Sequence, residues 1–285
     1  MRSFCKVIET GMYTSVQDGG RIGWRHRGVP VSGPMDRESF TQANAVLGNP
    51  EDAACLEITQ MGPTLLFNDP TWVSVSGAQI SIEKNKVKQQ MDSGLFCDVG
   101  DVLRLGQTEK GVRSYLAFQG GLQTEIYLGS RAQFYPISPS ATLEKGEKLY
   151  FHPTSATTVP PSKVSKGPIA SLHQEDKLLV HKGLDWDACP AAIREALFST
   201  TMLLGSNNRM GYRIEAALPK SDNQPLSGIV VPGTVQLTPG GNLLVAMQDG
   251  QVTGGYLRIL QLDPAAINFL AQQASGKKLQ LQWAG

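Results

Sequence analysis

The sequence predicts a mainly β protein with a few short helices, and three observations carry that prediction. Thirty glycines and seventeen prolines are spread among short runs of Val, Ile, Leu, Phe and Tyr, the punctuation of many strands rather than of a helical bundle. Runs such as Trp72 to Ser76 alternate with period two, placing Val73 and Val75 opposite Trp72, Ser74 and Ser76, as a strand with one buried face requires. No helical pattern recurs between the strand runs, which argues against a parallel βαβ sheet. At 285 residues the chain is long enough for two domains.

Taken in order, Trp72 to Ser76 and Ile80 to Ile82, followed by the polar turn Glu83 to Lys86, read as a hairpin. Val102 to Leu105, Ser114 to Phe118, Lys148 to Phe151 and Lys177 to His181 read as further strands, with Gly100-Asp101, Gly120-Gly121 and Gly146 in turns. Three segments have helical signals. The first opens on Asp36 as N-cap, places Phe40, Ala43, Asn44 and Leu47 on one stripe and can end at Gly48. The second runs from about Pro190 to Phe198 with Ile193 and Leu197 one turn apart. The third has Asp263 as N-cap and Pro264 at its first position, turns Ile267 and Leu270 inward and ends near Gly276. Residues 153–176, rich in Pro, Ser and Thr, read as a linker between domains over residues 1–152 and 177–285.

Charge and motifs exclude several classes. Twenty-six basic against 25 acidic residues, with no single-sign block, leave no electrostatic footprint for nucleic acid or an anionic membrane. Cys5, Cys55, Cys97 and Cys189 form no CxxC pair, and the four histidines His26, His152, His173 and His181 lack metal or triad spacing, so we expect buried thiols and no metal site. No signal peptide or membrane span is visible, which makes a cytoplasmic location the expectation. GxSxG, GxxxxGK[ST] and GxGxxG are absent.

Three polar stretches stand out. Residues 14–36, TSVQDGGRIGWRHRGVPVSGPMD, combine glycines, prolines and charge in a run too poor in apolar periodicity to be core. It reads either as a rigid binding loop presenting Gln17, Asp18, Arg21 and Asp36 or as a decorated surface turn. Asn44, on the apolar stripe of the first helix, either bonds adjoining loop backbone or reaches a ligand. Gly205 to Arg213 carries Arg209 and Arg213 four apart. They can converge on an anion if the segment is looped or helical, and share one face if it is a strand. Gln248 to Tyr256, QDGQVTGGY, follows the apolar strand Leu243 to Met247 and reads as a hairpin-like excursion displaying Asp249 and Tyr256.

The chain resembles the family of the 5-oxoprolinase C subunit, also known as allophanate hydrolase subunit 2, KipA-like, or the biotin-dependent carboxyltransferase family. The resemblance rests on residues 14–36, Ala43-Asn44, LEITQMGPTLLF from Leu56, RSYLAFQGG from Arg113, LGSR from Leu128, NRMGYR from Asn208, PGTVQL from Pro232 and DGQVTGGY from Asp249, all in order. It implies two cyclophilin-like β-barrel domains and a component of an ATP-dependent 5-oxoprolinase. Such a hydrolase opens the cyclic amide of 5-oxoproline to glutamate, active only with two partner proteins, one resembling the B (KipI-like) subunit and one resembling the A subunit of 5-oxoprolinase. Its alternatives are a carboxyltransferase that moves a carboxyl group from carboxybiotin to urea or another amide, and a KipA-like antagonist of a kinase inhibitor. ATP belongs to the complex under the first reading, and biotin enters only under the carboxyltransferase one. The family's polar positions fall on Asp18, Arg21, Asp36 and Arg209 as expected catalytic residues, and on Gln17, Asn44, Glu57, Arg213, Asp249 and Tyr256 as expected substrate-binding residues, at a site built between the two barrels. After Arg131 the chain departs from the family's glycine-rich pattern, reading AQFYPISPSATLEKGEK.

Overall fold

Nine antiparallel strands build a curled sheet in the N-terminal part of the chain, in a computed structural model that describes residues 3–157, 176–221, 223 and 225–284. They are β1 (Ser3–Glu9), β2 (Tyr13–Gln17), β3 (Cys55–Thr59), β4 (Thr64–Phe67), β5 (Thr71–Lys84), β6 (Val87–Lys88), β7 (Leu95–Cys97), β8 (Val102–Phe118) and β9 (Lys148–Phe151). The sheet runs β2-β3-β8-β4-β1-β9, with β5 also against β8 and with β6 and β7 on β5. It wraps a core that includes Val7, Leu56, Leu65, Val73, Leu103, Leu116 and Phe118.

Helix α1 (Arg37–Val46) begins where expected, with the Asp36 carboxylate accepting from the Ser39 amide. Its stripe Phe40, Ala43 and Leu47 packs with Cys55, Tyr115 and Ala117 of the sheet. The Asn85-Lys86 turn joins β5 to β6, with both residues at positive φ. Trp72–Ser76 and Ile80–Ile82 are not the two arms of a hairpin, however, but parts of the single 14-residue strand β5. Val102–Leu105 and Ser114–Phe118 likewise merge into the 17-residue β8. The two long strands pair with each other almost throughout, with register shifts after Gly77 that absorb the irregular sequence. At Gly77, φ is +102° and an added Cβ would lie 2.6 Å from the Arg113 carbonyl oxygen, so the bulge needs glycine.

A seven-stranded closed barrel occupies the C-terminal part, ordered β10-β17-β14-β15-β12-β11-β18. Its strands are β10 (Lys177–Lys182), β11 (Met202–Asn207), β12 (Gly211–Glu215), β14 (Thr234–Leu237), β15 (Leu243–Ala246), β17 (Leu257–Leu262) and β18 (Lys278–Trp283). Parallel pairing of β10 with β18 closes it, while β13 (Gly228–Ile229) and β16 (Thr253–Gly254) form a separate ribbon. Helices α2 (Ala191–Ala196) and α3 (Pro264–Ala271) complete the unit. Helix α3 has the expected Asp263 cap and first-turn proline but stops at Ala271, five residues before Gly276, because the chain must turn back into β18. The excursion after β15 is not a plain hairpin: β14 lies between β15 and β17, and the intervening residues pair through β16 with β13.

The chain divides into two compact units, the first made of Met1–Arg21 with Ser32–Leu172 and the second of Ile22–Val31 with His173–Gly285. The mainly β class stands, with three short α-helices among the described residues, a curled sheet in one unit and a closed barrel in the other. Most of the expected linker lies outside the described residues.

Candidate functional site

In the first unit the polar loop begins where β2 ends, and its candidate residues turn inward. Gln17 is fully buried, with Nε2 donating to Ser15 Oγ at 3.0 Å and to the Gln133 carbonyl at 3.3 Å, while Oε1 accepts from the Gly33 amide at 3.1 Å. Asp18 accepts from the Gly20 amide at 2.9 Å, from Ser130 Oγ at 2.6 Å and from the Arg131 amide at 2.6 Å. Arg21 is fully buried and donates to Ser32 Oγ at 3.2 Å and to the carbonyls of Ala132 at 2.5 Å and Tyr127 at 3.5 Å. The bonds Arg21–Ser32 and Gln17–Gly33 clasp the two ends of the excursion Ile22–Val31. Ser32 holds φ at +60°, a left-handed backbone that costs a non-glycine residue about 1–2 kcal/mol. Strain of this kind at the base of a polar loop is the sort that persists where the surroundings fix it. Gly33 follows at φ +87°, where an added Cβ would meet the Asp18 carbonyl oxygen at 3.1 Å.

A second buried network leads from β3 to the start of α1. Glu57 Oε2 accepts from the Met35 amide at 2.7 Å and from the Tyr115 hydroxyl at 2.8 Å, and its Oε1 lies 3.8 Å from Arg113 Nε. The same hydroxyl accepts from the Asp36 amide at 2.8 Å, and Asp36 Oδ2 accepts from Ser39 Oγ at 2.6 Å. Burial, then the Glu57 and Asp36 charges, push the Tyr115 phenol well above its ordinary range, so it remains a neutral donor. Asn44 stands apart from both networks. It donates to the Ala53 carbonyl at 2.9 Å and accepts from Asn49 at 2.9 Å, which makes it a bracket for the loop after α1.

In the second unit Arg209 and Asp249 form a buried bidentate pair, Nε to Oδ2 at 2.6 Å and Nη2 to Oδ1 at 3.1 Å, with relative exposures of 5% and 6%. Main-chain bonds from Asp249 to Arg209 at 2.9 Å and from Met247 to Met210 at 3.1 Å join the same two turns. The expected convergence of Arg209 and Arg213 is not observed. Arg209 lies in the turn and is buried against Asp249, whereas Arg213 sits on β12 with its side chain exposed. Tyr256 is exposed between β16 and β17. Arg25 of the excursion donates to the Val230 carbonyl, fixing that segment within its unit. Asp185 binds Arg258 through both carboxylate oxygens, at 2.6 and 2.9 Å, and this pairing holds its carboxyl below the usual range.

The structure thus joins Gln17, Asp18 and Arg21 at the loop base, Asp36 and Glu57 through Tyr115, and Arg209 with Asp249. Sequence reasoning missed Tyr115 and Gln133. Tyr115 could have been found from its place in the apolar run Ser114 to Phe118, where a phenol needs a polar partner; Gln133 carries no local signal.

The family model described as "Carboxyltransferase domain, subdomain A and B" matches residues 27–283. The chain belongs to this carboxyltransferase-domain family. Within the family it is 30% identical to the C subunit of 5-oxoprolinase from Escherichia coli over 281 residues, covering 96% of this chain and 89% of the relative. It is 40% identical to urea amidolyase of Lachancea kluyveri over 130 residues, 45% of this chain and 7% of that protein. Its fold superposes on the crystal structure of the Kluyveromyces lactis urea carboxylase with a TM-score of 0.87 and 28% identity, covering 98% of this chain and 27% of the other. No helix among the described residues is long and apolar enough to cross a membrane.

Proposed function

We propose that this chain is the C subunit of a cytoplasmic, ATP-dependent 5-oxoprolinase that opens the cyclic amide of 5-oxoproline to glutamate in complex with proteins resembling the A and B subunits. Collinearity with the E. coli relative over nearly the full length of both chains carries this reading. The polar residues fit a positioning role. Asp18, Arg21, Asp36 and Arg209 are each held by internal bonds, so we assign them to fixing residues 18–21 against residues 130–132, the start of α1, and the turns around Arg209 and Asp249. The sequence holds no GxxxxGK[ST] or GxGxxG loop, and we assign nucleotide binding to a partner protein.

The test is co-expression of this chain with its two candidate partners, measuring glutamate formed from 5-oxoproline and ATP. Activity that disappears when this chain is omitted supports the reading, and equal activity without it removes the chain from the enzyme. The higher identity to urea amidolyase over 130 residues favours a second reading, a biotin-dependent carboxyltransferase acting on urea or another amide. A biotinylated partner and urea-dependent ATP hydrolysis, with no glutamate from 5-oxoproline, would select it.

A further inference from the structure

We propose that the outward face of the β13–β16 ribbon, together with the loop Ile22–Val31, is a docking surface of the second unit for a partner protein that presents an apolar centre flanked by carboxylates. The ribbon takes in DGQVTGGY, the excursion between β15 and β17. It is a sheet of its own, with two strands of two residues each, and a lone two-stranded ribbon is marginal in water without cover. Burial alternates along its first strand: Ile229 is 64% exposed, Val230 is fully buried and Val231 is 39% exposed, so Ile229 and Val231 point outward. Thr253 pairs with Ile229, is exposed and shares that face. Exposed Tyr256 follows the ribbon in the chain. Exposed Leu184 precedes Asp185, whose carboxylate holds the Arg258 guanidinium that reaches the Ile229 carbonyl at 3.3 Å.

The loop sets the charge that a partner must match. Arg25 donates to the Val230 carbonyl, which places the short helical turn Arg25–Arg27 beside the ribbon. His26 and Arg27 of that turn are exposed, and the His26 ring stacks on Trp24 with centroids 6.5 Å apart and planes at 17°. Residues 22–31, 228–231 and 251–256 contain two arginines and no carboxylate. Asp185, which supports the ribbon through Arg258, has both carboxylate oxygens occupied by that arginine. The face therefore offers apolar side chains beside unopposed positive charge, and arginine with aromatic residues is what the centres of protein interfaces favour. A second copy of this chain docking on the same face would set arginines against arginines about a two-fold axis, so the charge selects a different protein, one with carboxylates opposite Arg25 and Arg27. The surface is argued from the second unit alone; that its occupant is a partner protein of the 5-oxoprolinase complex rests on the function proposed above.

The experiment measures binding of the full chain to each purified candidate partner, the proteins resembling the A and B subunits, by biolayer interferometry at low and high salt. We expect Ile229→Asp to weaken the binding of one partner about tenfold or more, Ile229→Leu to keep wild-type affinity, and Arg27→Glu to slow association and flatten its salt dependence. Ile229 and Arg27 are both exposed, and the Arg27 variant tests the surface even if Ile229→Asp fails to fold. Wild-type affinity for both partners in Ile229→Asp and Arg27→Glu overturns the surface. So does failure of both partners to bind the wild-type chain, or self-association of that chain that Ile229→Asp abolishes. In the reconstituted complex, glutamate formed equally with the wild-type chain and with both variants overturns the surface while leaving the proposed function intact. A partner that binds through Ile229 and Arg27 in a mixture that forms no glutamate overturns the function and leaves the surface standing.

Discussion

Replacing Asp249 with alanine isolates what the buried pair with Arg209 contributes. The two side chains are 5% and 6% exposed and meet at 2.6 and 3.1 Å. Removing the carboxylate takes two charge-assisted bonds from a guanidinium largely shielded from water. Breaking one half of such a pair costs roughly 3–5 kcal/mol, whereas replacing both halves with apolar residues of similar volume is close to neutral. The main-chain bonds between the same two turns survive either change. For a unit of this size about 3 °C is lost per kcal/mol, so Asp249→Ala should lower the unfolding temperature of the second unit on the order of 10 °C. Arg209→Met combined with Asp249→Leu should recover most of that loss. Calorimetry gives the midpoint, and hydrogen exchange at β12 and β15 amides assigns it to the barrel. A single variant that unfolds within about 2 °C of wild type, or a double variant no better than the single, would refute the reasoning.

Two further predictions follow from the first unit. In Asp18→Asn the new amide faces the Arg131 N–H that the carboxylate accepts at 2.6 Å, and the loss of charge-assisted bonds should cost about 2 kcal/mol, or about 5 °C. Lost turnover at an unchanged midpoint would instead assign Asp18 to proton transfer. Burial raises the thiols of Cys5, Cys55 and Cys97, the last from 9.0 to about 12. Because these folded values exceed the unfolded one, the stability they contribute is complete below about pH 9 and is lost as pH rises toward the folded values. Urea unfolding should show the first unit on the order of 4 kcal/mol less stable at pH 10 than at pH 8, each of the three thiols losing about 1.4 kcal/mol over the single pH unit above pH 9. A difference below about 1 kcal/mol would show that the thiols ionise in the folded state as they do in the unfolded one.

Local chemistry was legible in the sequence wherever the deciding interaction spans one turn or one strand. Asp36 and Asp263 cap their helices, Lys148–Phe151 is the strand read from its pattern, and the ordered motifs placed the chain in its family. Where the deciding partner is distant, the same sequence left alternatives open. Asn44 turned out to bracket a loop, and Arg209 to pair with a carboxylate 40 residues on.

Residues 14–36 show the division most clearly. Their glycines, prolines and charges marked a rigid polar loop, because backbone freedom and ring constraint are properties of the residues themselves. That Arg21 points inward to the Ala132 carbonyl, 111 positions away, was set only by the curl of the sheet. The outward face of Ile229, Val231 and Thr253 is likewise a matter of register, with β14 inserted between β15 and β17 and β16 paired with β13. A sequence states what each side chain can bond, whereas strand order and register decide which groups come within the roughly 3 Å over which a hydrogen bond acts.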